Sequence, residues 1–426
     1  MCIVKIDFNN LQGRIKPMHA VNNGPARKSS SCFEKFKELD IPYSRNHDAS
    51  LSEPYGPQRV VDVHCIFPDF SKDENDEKNY DFTLTDIYTK TILDAGTKVF
   101  YRLGSSIEHW EKKYGTLVPS DFSKWARICE HIIMHYNEGW ADGFHYDIEY
   151  WEIWNEPDLD PDDSTNKRCW GGIKAQFFEF YDVVAKYLKK RFPNLKIGGP
   201  ASCGNLAWAE DFIAQLDAPL DFFSYHMYAY EPQFMVEYVT RAKQLLIKYG
   251  YKDTETILNE WNYVRDWGNR LEYVQTIHEM KGAAYVAATM CAVQNSGNLD
   301  MLMYYDARLY TPWNGMFDFY TQKPLKGYYP FKMFSSLYKL KNQTKCESDD
   351  KDIIATSATD NEKCAAMITY YALDEGEDKT VKINTGISSM KCYLLDEEND
   401  MTEVLRINDG DEVTMKPNSI LYLESK

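Results

Sequence analysis

The chain has no CxxC pair and no dense cysteine cluster; its 10 Cys are scattered through 426 residues. That spacing excludes a disulfide framework and a zinc ribbon, and it fits free buried thiols in a reducing compartment. The opening Met1-Cys2-Ile3-Val4-Lys5-Ile6-Asp7-Phe8 has no long apolar segment behind a basic one. Nor does any run of about 18 apolar residues occur, so neither export nor membrane insertion is expected and the reading is a cytoplasmic protein. Positive charge is scarce, with 48 Lys and Arg against 65 Asp and Glu and a formal charge of -17. Such a chain repels a polyanion, which argues against a nucleic-acid partner and leaves the charge to promote solubility. No internal repeat or low-complexity tract stands out, and the acidic stretch 69–81 reads as a solvated loop.

Aromatic residues are abundant, at 15% with 10 Trp and 31 Tyr. Flat rings cover the apolar C–H faces of sugars, although core packing absorbs many of them. The length exceeds the roughly 250 residues of a typical βα barrel and leaves room for one accessory domain. Short apolar runs alternate with helical patterns, giving eight candidate strands at 15–20, 41–45, 98–103, 149–155, 196–199, 222–226, 255–259 and 301–306. Between them the period fits helices, such as 175–191 with Phe177, Phe180, Val184 and Leu188 on one face, and 271–294, stopping near Gly297. After Leu340 the texture becomes short alternating runs at 364–371, 380–384, 391–395 and 419–423, separated by turn residues. The expectation is therefore an α/β fold: a (β/α)8 TIM barrel over residues 10–338 followed by a C-terminal antiparallel β-sandwich over 339–426. The N-terminal strand, residues 1–9, is a candidate to join that sandwich.

In such barrels the C-terminal strand ends build the active site, so the polar residues just after each apolar run carry the information. Tyr150-Trp151-Glu152-Ile153-Trp154-Asn155-Glu156-Pro157-Asp158 is an aromatic strand that ends on an Asn-Glu pair and is stopped by proline. A second ending, Thr256-Ile257-Leu258-Asn259-Glu260-Trp261-Asn262, follows 104 residues later, about the spacing of three βα units. Two strand-end glutamates point to glycoside hydrolysis, in which one carboxylic acid protonates the leaving oxygen and one carboxylate attacks the anomeric carbon. Glu156 and Glu260 are the candidates. Burial among Trp151 and Trp154, together with repulsion from Glu260, would keep a proton on Glu156, and a hydroxyl such as that of Tyr228 would hold Glu260 ionised. Asn155 is placed to bind a sugar hydroxyl. The competing reading makes both glutamates ordinary strand-end carboxylates, since a lone Asn-Glu-Pro is common in surface turns.

At these motifs the chain resembles clan A glycoside hydrolases, most closely family 39, which includes β-xylosidases and α-L-iduronidases. Residues 150–159 (YWEIWNEPDL) are similar to that family's acid/base strand and residues 257–262 (ILNEWN) to its nucleophile strand. Tyr80-Asp81-Phe82, with 93–98 (LDAGTK), resembles the segment leading into its third strand, and 221–228 (DFFSYHMY) its sixth. The resemblance implies Glu156 as general acid/base and Glu260 as nucleophile. It also implies that His47, after Arg45 and Asn46, contacts the glycone. His226 and Tyr228 after strand six, Trp261 after strand seven, Asp306 and Arg308 after strand eight, and Trp313 in the loop beyond complete the candidate substrate contacts. Asn314 would give a polar rim, and His64 lies in a loop-like insertion. Arg45 and Arg308 could pair with a uronate carboxylate or form internal ion pairs with Asp48 or Asp306. The C-terminal region is reduced relative to the family's larger β-xylosidases, so their tetramer-forming contacts have no evident counterpart and a homo-oligomer stays open.

The expected activity is that of a retaining enzyme removing terminal sugars from pentose-containing oligosaccharides, β-xylosidase-like, with no metal or cofactor. Other clan A activities, endo-glycanase, arabinosidase or iduronidase, differ in loop shape, which the sequence leaves open. A noncatalytic carbohydrate-binding protein is a third reading, opposed by the retention of two neighbouring carboxylates whose repulsion costs stability.

Overall fold

A computed structural model describes residues 1–25, 27–48 and 59–425. After a first strand, β1 (Cys2–Arg14), eight strands close a parallel barrel: β2 (Ala20–Asn22), β3 (Tyr43–Asn46), β4 (Lys98–Leu103), β5 (Tyr150–Ile153), β6 (Lys196–Ser202), β7 (Phe222–His226), β8 (Glu255–Trp261) and β9 (Met301–Tyr304). Each pairs with its neighbour in sequence, and β2 pairs with β9 to close the ring. These strands are buried at nearly every position, because helices cover the outside and side chains fill the inside. At the start of the strands, Ala20, Phe100, Tyr150, Phe222, Ile257, Met301 and Met303 form a separate apolar cluster. This cluster plugs one end of the barrel, so a cavity can open only at the other.

The predicted strand at 15–20 is displaced: the barrel strand is Ala20–Asn22. The Ile15 N–H is used elsewhere, donating to the Lys341 carbonyl at 2.8 Å, and Pro17 has no N–H to give a ladder. The helix expected over 175–191 forms as Lys174–Arg191 and buries Phe177, Phe180, Val184 and Leu188. The one expected over 271–294 is two helices, Arg270–His278 and Met280–Ser296, with the chain extended at Glu279. They meet closely there: a Cβ on Gly282 would lie 2.2 Å from the Thr276 carbonyl oxygen. The second helix stops on Gly297 in the left-handed conformation.

The remaining strands are β10 (Asn342–Ser348), β11 (Ile353–Thr359), β12 (Cys364–Tyr370), β13 (Lys379–Asn384), β14 (Met390–Leu395), β15 (Asp400–Ile407), β16 (Asp411–Met415) and β17 (Ser419–Glu424). With β1 they make one nine-stranded sheet in the order β15-β14-β17-β12-β11-β10-β1-β13-β16. It is antiparallel except where β1 runs parallel to β13. Met390 near one edge and Val381 near the other share one apolar core with Val4, Ile368 and Leu421, so the sheet wraps over on itself as a sandwich. Among the described residues no helix is long and apolar enough to cross a membrane, and all ten cysteines are free thiols.

His19 is fully buried beside the rings of Phe334 and Tyr338, at 5.7 and 5.2 Å. Burial lowers its pKa from 6.5 to about 3. Between those values the unfolded chain takes up a proton that the folded one refuses. Stability is therefore expected to fall by roughly 1.4 kcal/mol per pH unit as pH drops below 6.5. Urea unfolding at pH 7 and pH 5 checks this: His19→Gln should lose less stability than wild type over that interval. Equal losses would assign the acid sensitivity to other groups.

Candidate active site

Beyond Ile153 the chain leaves β5 through two strained residues, Trp154 at φ +77° and Glu156 at φ +48°. A left-handed conformation at residues with a Cβ costs on the order of 1–3 kcal/mol and persists only where surroundings fix it. Here the Trp154 N–H donates to the Leu103 carbonyl at 2.7 Å and the Glu156 N–H to the Ala201 carbonyl at 2.9 Å. Gly104 permits the approach, since a Cβ there would lie 2.9 Å from the Trp154 Cα. Glu260 lies one residue before the end of β8, where the pairing register shifts, so that Asn259 and Glu260 both turn inward and Trp261 turns outward.

The two carboxylates meet around His226. Its Nδ1 is 2.8 Å from Glu156 Oε1 and 3.5 Å from Glu260 Oε2, and one oxygen of each glutamate lies within 4.8 Å of the other. Their surroundings differ. Glu260 Oε1 accepts from Arg45 Nη1 at 2.9 Å, Oε2 accepts from the Tyr228 hydroxyl at 3.1 Å, and His47 Nε2 is 3.4 Å from Oε1. Around Glu156 are His226 and two thiols, Cys169 with its sulfur at 3.9 Å and Cys203. Burial raises the pKa of both acids, and the charge of Glu156 adds to the rise at Glu260, which is pushed up to about 7. Such a pair holds one proton near neutrality. The guanidinium and hydroxyl donors at Glu260 favour its charged form and so oppose that rise.

Arg45 is fully buried and fixes this asymmetry. Its Nε donates to Glu152 Oε2 at 2.7 Å, Nη1 to Glu260 and to Asn22 Oδ1 at 3.2 Å, and Nη2 to Asn155 Oδ1 at 2.7 Å. Glu152, on the inner face of β5, also accepts from Ser224 Oγ at 2.6 Å and from Asn259 Nδ2. One cation thus bridges two buried carboxylates. His47 is neutral, its pKa held well below 6.5 by burial and the Arg45 charge. Arg102 Nε donates to its Nδ1 at 3.2 Å, which leaves the ring proton on Nε2, facing Glu260.

A cavity of about 570 Å³ opens over these groups, within the usual range for small-ligand sites. Glu156, Glu260, His47, Asn155, His226, Tyr228 and Trp313 all line it. Three residues expected there do not. Trp261 is fully buried, with its ring against Tyr285 and Tyr304, on the face of β8 opposite to that of Glu260. Asp306 is fully buried, with its carboxylate 3.2 Å from Arg308 Nη2 and 3.3 Å from Asn23 Nδ2. Arg308 also donates to the Asp48 carbonyl at 3.0 Å and lies 3.5 Å from its carboxylate, so it braces the rim as an internal ion pair. The tryptophans expected to bury Glu156 point away: Trp151 stacks on Tyr101, and Trp154 packs on Trp125 and Trp170. Asn314 accepts from the N–H groups of Met316 and Phe317 and so shapes its own loop. His64 lines a separate, mainly apolar cavity with Phe67 and Trp125.

The sequence reading missed Glu152 and, on the rim, Trp267, His109, Arg168 and Cys203. Trp267 lies in the loop after β8, is 61% exposed, and sets its ring 5.2 Å from Tyr228 and 6.0 Å from Trp313. An isolated Trp between Asp266 and Gly268 was its available signal. Glu156, His226 and Glu260 also form a donor set close enough for a divalent cation. Arg45 already supplies the positive charge at Glu260 and would repel one.

A closed (β/α)8 barrel with two facing glutamates at the ends of its fourth and seventh strands is the architecture of the barrel-fold glycoside hydrolases. The model for glycosyl hydrolases family 39 matches residues 54–363, and the chain belongs to that family. A beta-xylosidase from Geobacillus stearothermophilus is 27% identical over 209 residues, which are 45% of this chain and 37% of the relative. The match thus spans well under half of that relative's length. A solved glucosidase from Croceicoccus marinus superposes with a TM-score of 0.77 at 19% identity, covering 100% of this chain and 98% of that one. A monomeric beta-xylosidase from Caulobacter crescentus CB15 does so with a TM-score of 0.72 at 16% identity, covering 99% of each chain. At these identities the superpositions establish the fold.

Proposed function

We propose that the chain is a retaining glycoside hydrolase that removes terminal pentose units, β-xylosidase-like, by double displacement. The observation that carries this reading is the approach of Glu156 and Glu260 to within 4.8 Å. Retaining pairs stand about 5–5.5 Å apart, whereas inverting pairs stand about 6.5–9.5 Å apart to admit water. Glu260, ionised beside Arg45 and Tyr228, attacks the anomeric carbon while Glu156 gives its proton to the leaving oxygen. Water then enters, Glu156 takes its proton, and its oxygen displaces Glu260 from the sugar. Asn155, whose Oδ1 is held by Arg45, presents its amide N–H groups to a sugar hydroxyl, and His47 presents its Nε2–H. Trp313 and Trp267 offer ring faces to the sugar.

The beta-xylosidase relative and the family favour a xylosyl glycone, while the glucosidase shares the fold and leaves sugar choice to the loops. The test is hydrolysis of aryl glycosides and pentose oligosaccharides by wild type, Glu156→Gln and Glu260→Gln. Release of xylose by wild type, with retention of configuration and loss of turnover in Glu260→Gln, is the expected result. Glu156→Gln should retain more activity on aryl glycosides with good leaving groups than on oligosaccharides. An inverted product from wild type would sink the double-displacement reading.

A further inference from the structure

The flank of the cavity beyond Glu156 differs from the one around Glu260. His47 and Tyr228 gather at Glu260, where the attacked sugar would sit. Ile107, His109, Leu159 and Arg168, from the loops after β4 and β5, line the same cavity, and the charge of Glu156, which would meet the departing oxygen, acts on both His109 and Arg168. We propose that this flank is a leaving-group subsite for an acidic sugar, in which Arg168, seconded by His109, receives the carboxylate of a uronosyl residue. This inference rests on the glycosidase reading above.

Charge is the first argument. In a chain of formal charge -17, the His109 imidazole feels the positive charges of Arg168, Arg59 and Lys113 more than the negative charge of Glu156. Arg168 pairs with Asp160, and Arg59 lies 3.8 Å from Asp48, a carboxylate also facing Arg308. Lys113 gives its ammonium protons to the carbonyls of Glu108 and Trp110. Burial and the neighbouring cations lower the pKa of His109, so it meets a ligand as a neutral ring with one N–H to donate.

Construction is the second argument. Asp160 grips Arg168 through Nε at 3.0 Å and Nη2 at 2.7 Å, which orients the guanidinium and leaves Nη1 for a ligand. The Glu108 carboxylate, almost fully buried, accepts from the N–H groups of Tyr114, Gly115 and Thr116 and from the Thr116 hydroxyl at 2.6 Å. Its own N–H donates to the Arg168 carbonyl at 2.9 Å and ties the two loops together. His109 and Arg168 are thus held in one frame before any ligand arrives, which favours specific binding. Ile107 and Leu159 supply an apolar surface for the C–H face of a sugar ring, and a guanidinium is the donor best matched to a carboxylate.

The experiment compares two disaccharides with the same glycone, one joined to glucuronic acid and one to glucose, in wild type and Arg168→Gln. Wild type should hydrolyse the glucuronic acid compound with at least ten-fold higher kcat/KM, mainly through KM. Arg168→Gln should bring the ratio near one, while Arg168→Lys should retain part of it. Equal kcat/KM for the two disaccharides in wild type would overturn the inference and leave the glycosidase reading intact. If neither disaccharide nor any aryl glycoside is cleaved, that reading has failed. Calorimetric titration of wild type with glucuronate, glucose and glucose 6-sulfate then decides the subsite alone: glucuronate should bind and glucose should not. Stronger binding of the sulfate would overturn the choice of a carboxylate.

Discussion

Glu260→Ala is expected to lose turnover by on the order of 10⁴-fold or more, the scale seen when a covalent nucleophile is removed. Azide should restore activity and give the glycosyl azide of inverted configuration, because the deleted carboxymethyl group leaves room for a small anion on the face from which Glu260 attacks. The site favours that rescue. Arg45 Nη1 and the Tyr228 hydroxyl, which face the Glu260 carboxylate at 2.9 and 3.1 Å, would stay behind as donors for the incoming anion. Product configuration is read by NMR. Wild-type-like activity in this variant, or azide rescue with retained configuration, would remove Glu260 from the nucleophile's role.

Arg45→Met should be the most damaging substitution outside the two glutamates. It leaves Glu152 buried without its cation and removes the charge that favours the ionised form of Glu260. Removing one partner of a buried ion pair costs about 3–5 kcal/mol, since the remaining charge is left uncompensated. A urea midpoint well below wild type and turnover near background are the expected results. The double variant Arg45→Met with Glu152→Gln separates the two effects. It should recover much of the stability, because one orphaned charge is gone, but little activity, because Glu260 still lacks its cation. Recovery of both would mean that Arg45 serves only the fold.

The difference between these two residues marks what was legible in the sequence. Glu156 and Glu260 sit at the ends of apolar runs, where topology alone assigns them to the rim, and His47, Asn155, His226 and Tyr228 follow the same logic. For Arg45 the sequence left a uronate contact or an internal ion pair with Asp48 or Asp306 open; its partners are Glu152 and Glu260. Glu152 stands mid-strand, where a carboxylate looks like a misplaced charge until the barrel brings Arg45, Ser224 and Asn259 around it. Trp261 was misplaced for a related reason: a register shift in β8 turns both Asn259 and Glu260 inward, and Trp261 falls on the opposite face. Arg168 and His109 reach the cavity through loops whose course is set by hydrogen bonds such as those to Glu108, and no periodic pattern encodes such a path.

The pairing of β1 with β10 has a topological consequence. Arg14 stands opposite Asn342, and the next hydrogen bond joins Ile15 to Lys341, at the two points where the chain enters and leaves the barrel. The barrel segment is thereby a loop of chain buckled at its own ends, so the helix Tyr328–Leu340 that follows β9 is held beside the entry to β2. During synthesis the same buckle closes late, because β1 waits for residues 342–384, which supply both of its partner strands.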